Sequence, residues 1–379
     1  MKKRTFAALL VLAVCAGIVF ANFDTLRQMI PTPFFMTDMV YADDGAERYY
    51  YHQLPEDAQI AYTRILNEIA EHPEEIEIPP LDDETFHALF LALSYDNPAL
   101  LCLENESELI TRGAKAYFRP QYRTDADTCR AQTQALEAAA QEVLRQASGL
   151  STAYEKELFF HDYICKTVSY AEADESLGYS AYDALVTGEA VCEGYSRALQ
   201  LLLDSEGIPN LLVTGVGVEE DGTREGHMWN LVSVDGEYYH VDLTWDDLDE
   251  DGGQHVSHAY FNVTDETIRA NHEDISPAHF SCTATKDNYF VRSGLYFTTY
   301  DSACTIAMTR AAAEAIRSGR CMLEVRFADA GTFSAAADDL VDEHAIYDVL
   351  DAADRQYAQT VDEVLYIRGD ATCTLQFAF

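Results

Sequence analysis

The chain has 379 residues and a mass of 42.4 kDa, enough for two or three domains at ~100–200 residues each. With 48% hydrophobic and 11% aromatic residues it has ample material for packed cores, which excludes a largely disordered chain. Sixty-five acidic against 25 basic side chains leave a formal charge of −40, which repels phosphate backbones and anionic lipid, excludes nucleic acid as a partner, and suits solubility or cationic partners.

Residues 1–21 open with Lys2, Lys3 and Arg4, continue through an apolar or small-residue run over 6–20, and offer Val19-Phe20-Ala21 at a cleavage point. That order reads as a secretory signal, so the chain is expected to be secreted or held at the cell surface. The run is shorter than the ~20 apolar residues of a spanning helix, and an uncleaved N-terminal anchor is the alternative. Leu12-Ala13-Val14-Cys15 lacks the small residue that a lipidation site needs before its cysteine. Residues 22–44 show no period and read as a linker.

From residue 45 to 150 the pattern reads as a mainly helical N-terminal domain. Ala58, Ala61, Tyr62, Ile65, Leu66 and Ile69 keep a three-to-four spacing that predicts a helix over 55–70, ended by Pro73 and Pro79-Pro80. Asp83 can cap a second helix through Phe86, Leu89, Phe90 and Leu93, which stops at Tyr95-Asp96-Asn97-Pro98. Residues 115–122 look extended, and the Ala-rich stretch 128–147 has strong helix propensity up to Gly149.

Residues 151–282 read as an α+β domain: a helix over 152–168, a loop over 170–178, a helix from Cys192, a strand over 211–218 and a hairpin over 226–244. Residues 283–379 read as a small α/β unit without a chemical motif, in the order strand from Asn288, helix 302–318, strand 322–328, helix 339–356 and strands over 363–379. Nine cysteines are scattered with no C-x-x-C, against a zinc site or a thioredoxin-type pair. Disulfides are permitted outside the cell, but the spacing does not pair them. Cys165 in a helix and Cys373 in a strand read as small buried hydrophobes.

Cys192 differs. It lies in Gly188-Glu189-Ala190-Val191-Cys192-Glu193-Gly194-Tyr195-Ser196, followed by Ala198, Leu199, Leu202 and Leu203 at helical spacing. The thiol therefore stands in the first turn of a helix, where unpaired N–H groups and the positive end of the dipole favour thiolate and can hold a developing oxyanion. The hairpin supplies the partners. Asp235-Gly236 is a two-residue type I′ signal, and a loop of those two residues makes Val234 face Glu237, Trp229 face Asp242 and His227 face Thr244. His227 and Asp242 then converge on one face as diagonal neighbours ~7–8 Å apart, the base–orienter relation of a nucleophilic triad. His240 shares that face and reads as a structural residue. Trp229 and Trp245 read as walls of the site, and Tyr182 as a candidate oxyanion donor or a core tyrosine.

Asp247, Asp249 and Asp251 with Gly252 fit the first half of a calcium loop, but position 12 is His258, and an acidic turn is the better reading. His255, His258, His272 and His279 have no metal-ligand spacing and read as surface or packing residues.

Ala190-Val191-Cys192-Glu193-Gly194-Tyr195, Gly226-His227-Met228-Trp229-Asn230 and Tyr239-His240-Val241-Asp242-Leu243-Thr244-Trp245 are similar to the three blocks of the transglutaminase-like superfamily. The match covers about residues 155–270, and the arrangement also resembles bacterial exported proteins in which such a domain follows a helical region. The resemblance implies a papain-like fold, with the helix carrying the cysteine packed on an antiparallel sheet. It also implies Cys192 as nucleophile, His227 as general base then acid, and Asp242 orienting the imidazole. The reaction it implies is acyl transfer from an amide of a protein or cell-wall peptide through a thioester, resolved by water (peptidase, amidase) or by an amine (transglutaminase), with no cofactor required. Met228 departs from the small residue expected after the histidine and narrows the pocket beside the base. A catalytically silent peptide-binding surface module using the same cleft is the alternative from another class, and a calcium-dependent structural protein is a third.

Overall fold

The computed structural model describes residues 48–171, 178–219, 221–248 and 255–379. The expected signal segment and linker lie outside the described residues. Among the described residues no helix is long and apolar enough to cross a membrane.

The first core is built by α1 (Tyr49–Gln53), α2 (Glu56–Glu68) and α3 (Asp83–Tyr95) against β1 (Ile76–Ile78), β2 (Leu103–Arg112) and β3 (Lys115–Tyr122). Asp82 caps α3 by accepting from the Thr85 N–H, one residue ahead of the expected cap. The strands form an antiparallel sheet in the order β1-β3-β2, so the region is less purely helical than its pattern suggests. The reason is local. The edge strand β2 is rich in glutamate, a poor strand former, and pairing with β3 overrides that propensity.

Helix α4 (Ala126–Ala147), capped by Asp125, is tied by the Cys102–Cys129 disulfide to the residue that precedes β2. Its apolar stripe of Leu136, Ala140, Val143 and Ala147 packs instead into the second core. That core therefore begins ahead of the boundary expected at 150. It continues with α5 (Ala153–Thr167), which starts at a Thr152/Glu155 capping box. The short strands β4 (Ser169–Tyr170) and β5 (Glu189–Ala190) pair in parallel and lead into α6 (Cys192–Ser205).

Behind α6 stands a four-stranded antiparallel sheet in the order β8-β7-β6-β9, made of β6 (Asn210–Val218), β7 (Arg224–Val234), β8 (Glu237–Val241) and β9 (His272–Ser276). The β7–β8 register has Val234 opposite Glu237 and Leu231 opposite His240, and Asp235 and Gly236 take φ of 52° and 84°. This is the type I′ geometry read from Asp-Gly. Strand alternation then divides the sheet: Val232 and Val234 pack under α6, while Trp229 and Leu231 face the segment carrying α7 (Asp265–Ile268).

The third core follows α8 (Tyr289–Ser293). Asn288 caps that helix rather than opening a strand. Next come β10 (Tyr296–Phe297), α9 (Ser302–Ser318), β11 (Met322–Phe327), α10 (Ala330–Ala337), α11 (Ile346–Ala353), α12 (Arg355–Ala358), β12 (Leu365–Gly369) and β13 (Thr374–Ala378). The sheet order is β10-β11-β13-β12. Cys373 lies in the turn before β13 with φ 53°, not in the strand.

Buried polar contacts fix the outer cores to the middle one. Arg197 of α6 donates to Ser94 O at 2.5 Å and Ser94 Oγ at 2.8 Å, and Gln200 donates to Tyr95 O at 2.8 Å. In the same turn Asp96 accepts from the Tyr50 and Tyr51 amides. On the other side the His258 ring meets Glu324 of β11 at 2.6 Å, and Gln376 donates to Ser257 at 2.6 Å.

Candidate active site

Cys192 is the first residue of α6, with Val191 at the cap position, and its side chain is half-buried. The cap residue Val191 makes no side-chain hydrogen bond to the amides of this turn. Gly194 is required here. A Cβ on it would lie 2.4 Å from Gly178 O and 2.8 Å from the Ala190 Cβ, so only glycine lets the 178–180 loop close on the start of the helix. Two side chains tie the turn to the strand that carries the base: Ser196 Oγ donates to Met228 O at 3.0 Å, and Asn230 Nδ2 donates to Ser196 O at 3.0 Å.

His227 Nε2 donates to Asp242 Oδ2 at 2.7 Å, which leaves Nδ1 as the nitrogen that hydrogen-bonds the Cys192 side chain. The imidazole lies between Trp229, stacked at 5.8 Å, and Trp245 at 5.9 Å. Burial opposes a charged imidazole here, but the Asp242 carboxylate and Cys192 outweigh it and raise the group to about 10, favouring the charged ring.

Asp242 is 1% exposed and fully partnered. Oδ2 accepts from His227 and, at 2.9 Å, from His272 Nε2, while Oδ1 accepts from Thr244 Oγ1 at 2.8 Å and the Trp245 amide at 3.4 Å. Burial raises a carboxyl, yet the two histidines hold Asp242 well below the usual carboxylate range. Strand β6 makes room for this arrangement. Gly215 lies opposite His227 and Gly217 opposite His272, and a Cβ on Gly215 would meet the Trp229 ring at 2.8 Å.

The structure thus brings Cys192, His227 and Asp242 together. His240 stands apart from the thiol. Its Nδ1 accepts from Trp229 Nε1 at 2.9 Å and its Nε2 donates to Asp265 at 3.1 Å, and burial pushes it down to about 4, so it is a neutral structural residue. Trp229 is fully buried beneath the imidazole, and Trp245 is the half-buried wall. Tyr182 packs into the second core. The tyrosine beside the thiol is Tyr170 of β4, exposed over about half its surface, whose hydroxyl accepts from the Cys192 amide; partial desolvation of the phenol and the neighbouring Cys192 raise it. Met228 alternates to the opposite face of β7 from His227 and is buried, so it does not narrow the pocket at the base.

Asp247 accepts from the Tyr195 hydroxyl, whereas Asp249 and Asp251 lie outside the described residues. His255 is half-buried and His279 exposed beside the Tyr49 hydroxyl. His258 and His272 are not surface residues: both are buried and paired with carboxylates. His272 escapes sequence reading because β9 reaches β6 only through tertiary pairing, and nothing in its local spacing marks it.

Residues 138–243 match the transglutaminase-like superfamily, a segment that runs from α4 to just past Asp242. This part of the chain, of mixed α+β fold, is similar to the transglutaminase-like superfamily. Similar solved structures include a TGase (17% identity, 45% of this chain and 51% of that one, TM-score 0.27). They also include a proposed cysteine protease from Cytophaga hutchinsonii (13% identity, 39% and 64%, TM-score 0.24). A third is a proposed protease from Parabacteroides distasonis (12% identity, 37% and 39%, TM-score 0.22). The chain spans about half the length of the first of these. No curated protein matches it.

Proposed function

We propose that the protein is an exported, cysteine-dependent acyl-transfer enzyme acting on amide bonds of proteins or cell-wall peptides, without a cofactor. The observation that carries the reading is the His227 imidazole held between the Cys192 side chain and the buried Asp242 carboxylate. In this reading the Cys192 sulfur attacks the amide carbon. The amides at the start of α6 stabilise the oxyanion, and His227 Nδ1 delivers its proton to the departing nitrogen. A thioester and a free amine or ammonia result. His227 then takes a proton from water or from an acceptor amine, whose attack releases the acid or the new amide and restores the thiol. The −40 charge supports protein or peptide partners over nucleic acid, and the basic–apolar start of the chain supports export.

The test is mass spectrometry of the chain with glutamine peptides and a labelled amine, in wild type and in Cys192→Ala. The expected result is an acyl adduct on Cys192 and turnover in wild type only, with both proteins equally folded by circular dichroism. Full turnover in Cys192→Ala overturns the proposal. So does iodoacetamide labelling of Cys192 that is indifferent to His227→Ala, because the pair would then not be assembled and the binding-module reading would stand.

A further inference from the structure

We propose a divalent metal site, suited to zinc, at His161, Asp162 and His258, where the middle core receives the C-terminal unit. This goes beyond acyl transfer and does not depend on it. One ligand atom from each of His161, Asp162 and His258 lies within 4.8 Å of the other two. Asp162 Oδ1 is 3.3 Å from His161 Nδ1 and 3.0 Å from His258 Nε2. Bonds of ~2.0–2.2 Å to one tetrahedral ion place ligand atoms roughly 3.3–3.6 Å apart, a spacing that the two Asp162 edges approach to within a few tenths of an ångström.

The surroundings are those of metal-bound imidazoles. Each ring turns its far nitrogen to a separate buried carboxylate: His161 Nε2 to Asp246 Oδ2 at 3.2 Å, and His258 Nδ1 to Glu324 Oε2 at 2.6 Å. Outer carboxylates of this kind set the tautomer and aim the inner nitrogen at a metal. The rings are also braced by aromatics, His258 flat on Tyr289 at 3.7 Å and His161 edge-on to Phe261 at 5.1 Å. Asp162 and His258 line a cavity of about 590 Å³ between α5 and the C-terminal unit, which provides an entry path and space for water as the fourth ligand. Two imidazole nitrogens with one carboxylate suit zinc better than calcium or magnesium.

A second group, His240, Asp265 and Cys282, also brings three ligand atoms together. It fails on chemistry. An indole N–H only donates, so His240 Nδ1 is the acceptor for Trp229 and Nε2 carries the proton given to Asp265, leaving no lone pair for an ion. The two clusters therefore make opposite predictions in one experiment.

The untagged full chain carrying Cys192→Ala, so that the active-site thiol cannot bind metal, is stripped with chelator and titrated calorimetrically with zinc chloride. The expected result is one zinc per chain, a higher melting temperature with zinc, and the visible absorption of four-coordinate cobalt when Co²⁺ is substituted. Glu324→Gln weakens zinc ~10–100-fold, Asp162→Asn and His258→Gln weaken it further, and Asp265→Asn leaves it unchanged. Asp162 is partly exposed, so Asp162→Asn keeps the test valid if His258→Gln does not fold. Absence of zinc uptake by the folded chain overturns the proposal, as does stoichiometric zinc retained by Asp162→Asn or zinc lost from Asp265→Asn.

Discussion

Replacing His272 by phenylalanine tests how Asp242 shares its charge between two imidazoles. In the native chain one oxygen of Asp242 accepts from His227 at 2.7 Å and from His272 at 2.9 Å, and all three side chains are buried. A hydrogen bond to a charged group is worth ~1.5–3 kcal/mol. Phenylalanine keeps the ring contacts with Trp245 at 4.5 Å and Trp229 at 4.9 Å, so what is lost is the bond to Asp242 and the 2.9 Å bond from the ring to Asn271 Oδ1, the charged one being the larger. The expected destabilisation is about 2 kcal/mol, or roughly 4–8 °C in melting temperature. The carboxylate, relieved of one donor, then pulls harder on the other. If about 1 kcal/mol of the lost interaction passes to His227, its titration moves up by roughly 0.7 from its native value, which is about 10. Thermal unfolding gives the first quantity and NMR titration of the His227 ring gives the second. A variant as stable as wild type, or a His227 titration that falls toward 6.5, refutes the reasoning. A purely structural role for His272 would lower stability without moving the titration.

Because folding raises His227 from 6.5 to about 10, the pair contributes stability that is whole below pH 6.5 and is lost as pH climbs to about 10. The displacement is equivalent to roughly 5 kcal/mol. Urea midpoints measured across that window should fall for wild type and stay flatter for His227→Gln, and equal slopes would contradict the assignment. Gly194→Ala should displace the 178–180 loop from the start of α6, at a cost of ~1–3 kcal/mol. Thioester formation should fall further than stability does, and an unchanged rate would show that the close approach is dispensable.

The site was readable where it depends on local rules. Cys192 at a helix start follows from helical spacing, and the meeting of His227 with Asp242 follows from one Asp-Gly turn and strand alternation, both of them short-range. His272 and Tyr170 were not readable. Each reaches the site through pairing of strands remote in sequence, β9 with β6 and β4 with β5, and neither carries a spacing of its own. The histidine cluster at the C-terminal interface was hidden for the same reason: His161 and His258 lie almost a hundred residues apart, and Glu324 is contributed by another core. In the N-terminal region the glutamate-rich β2 concealed a sheet that only its partner strand stabilises.

Helix α6 is held from two directions, and this determines what the working unit is. Ser196 and Asn230 lock it to β7, which sets the thiol against the imidazole. Arg197 and Gln200 lock its outer face to the 94–97 turn of the first core. On the far side, the Glu324 carboxylate of the third core takes both the backbone and the ring N–H of His258. Deleting the first core removes the Ser94 and Tyr95 acceptors and leaves Arg197 to Glu193 of its own helix, and deleting the third core removes Glu324 and leaves His258 to Asp162. The segment that matches the superfamily supplies the nucleophile, base and carboxylate, but their alignment rests on the cores on both sides of it.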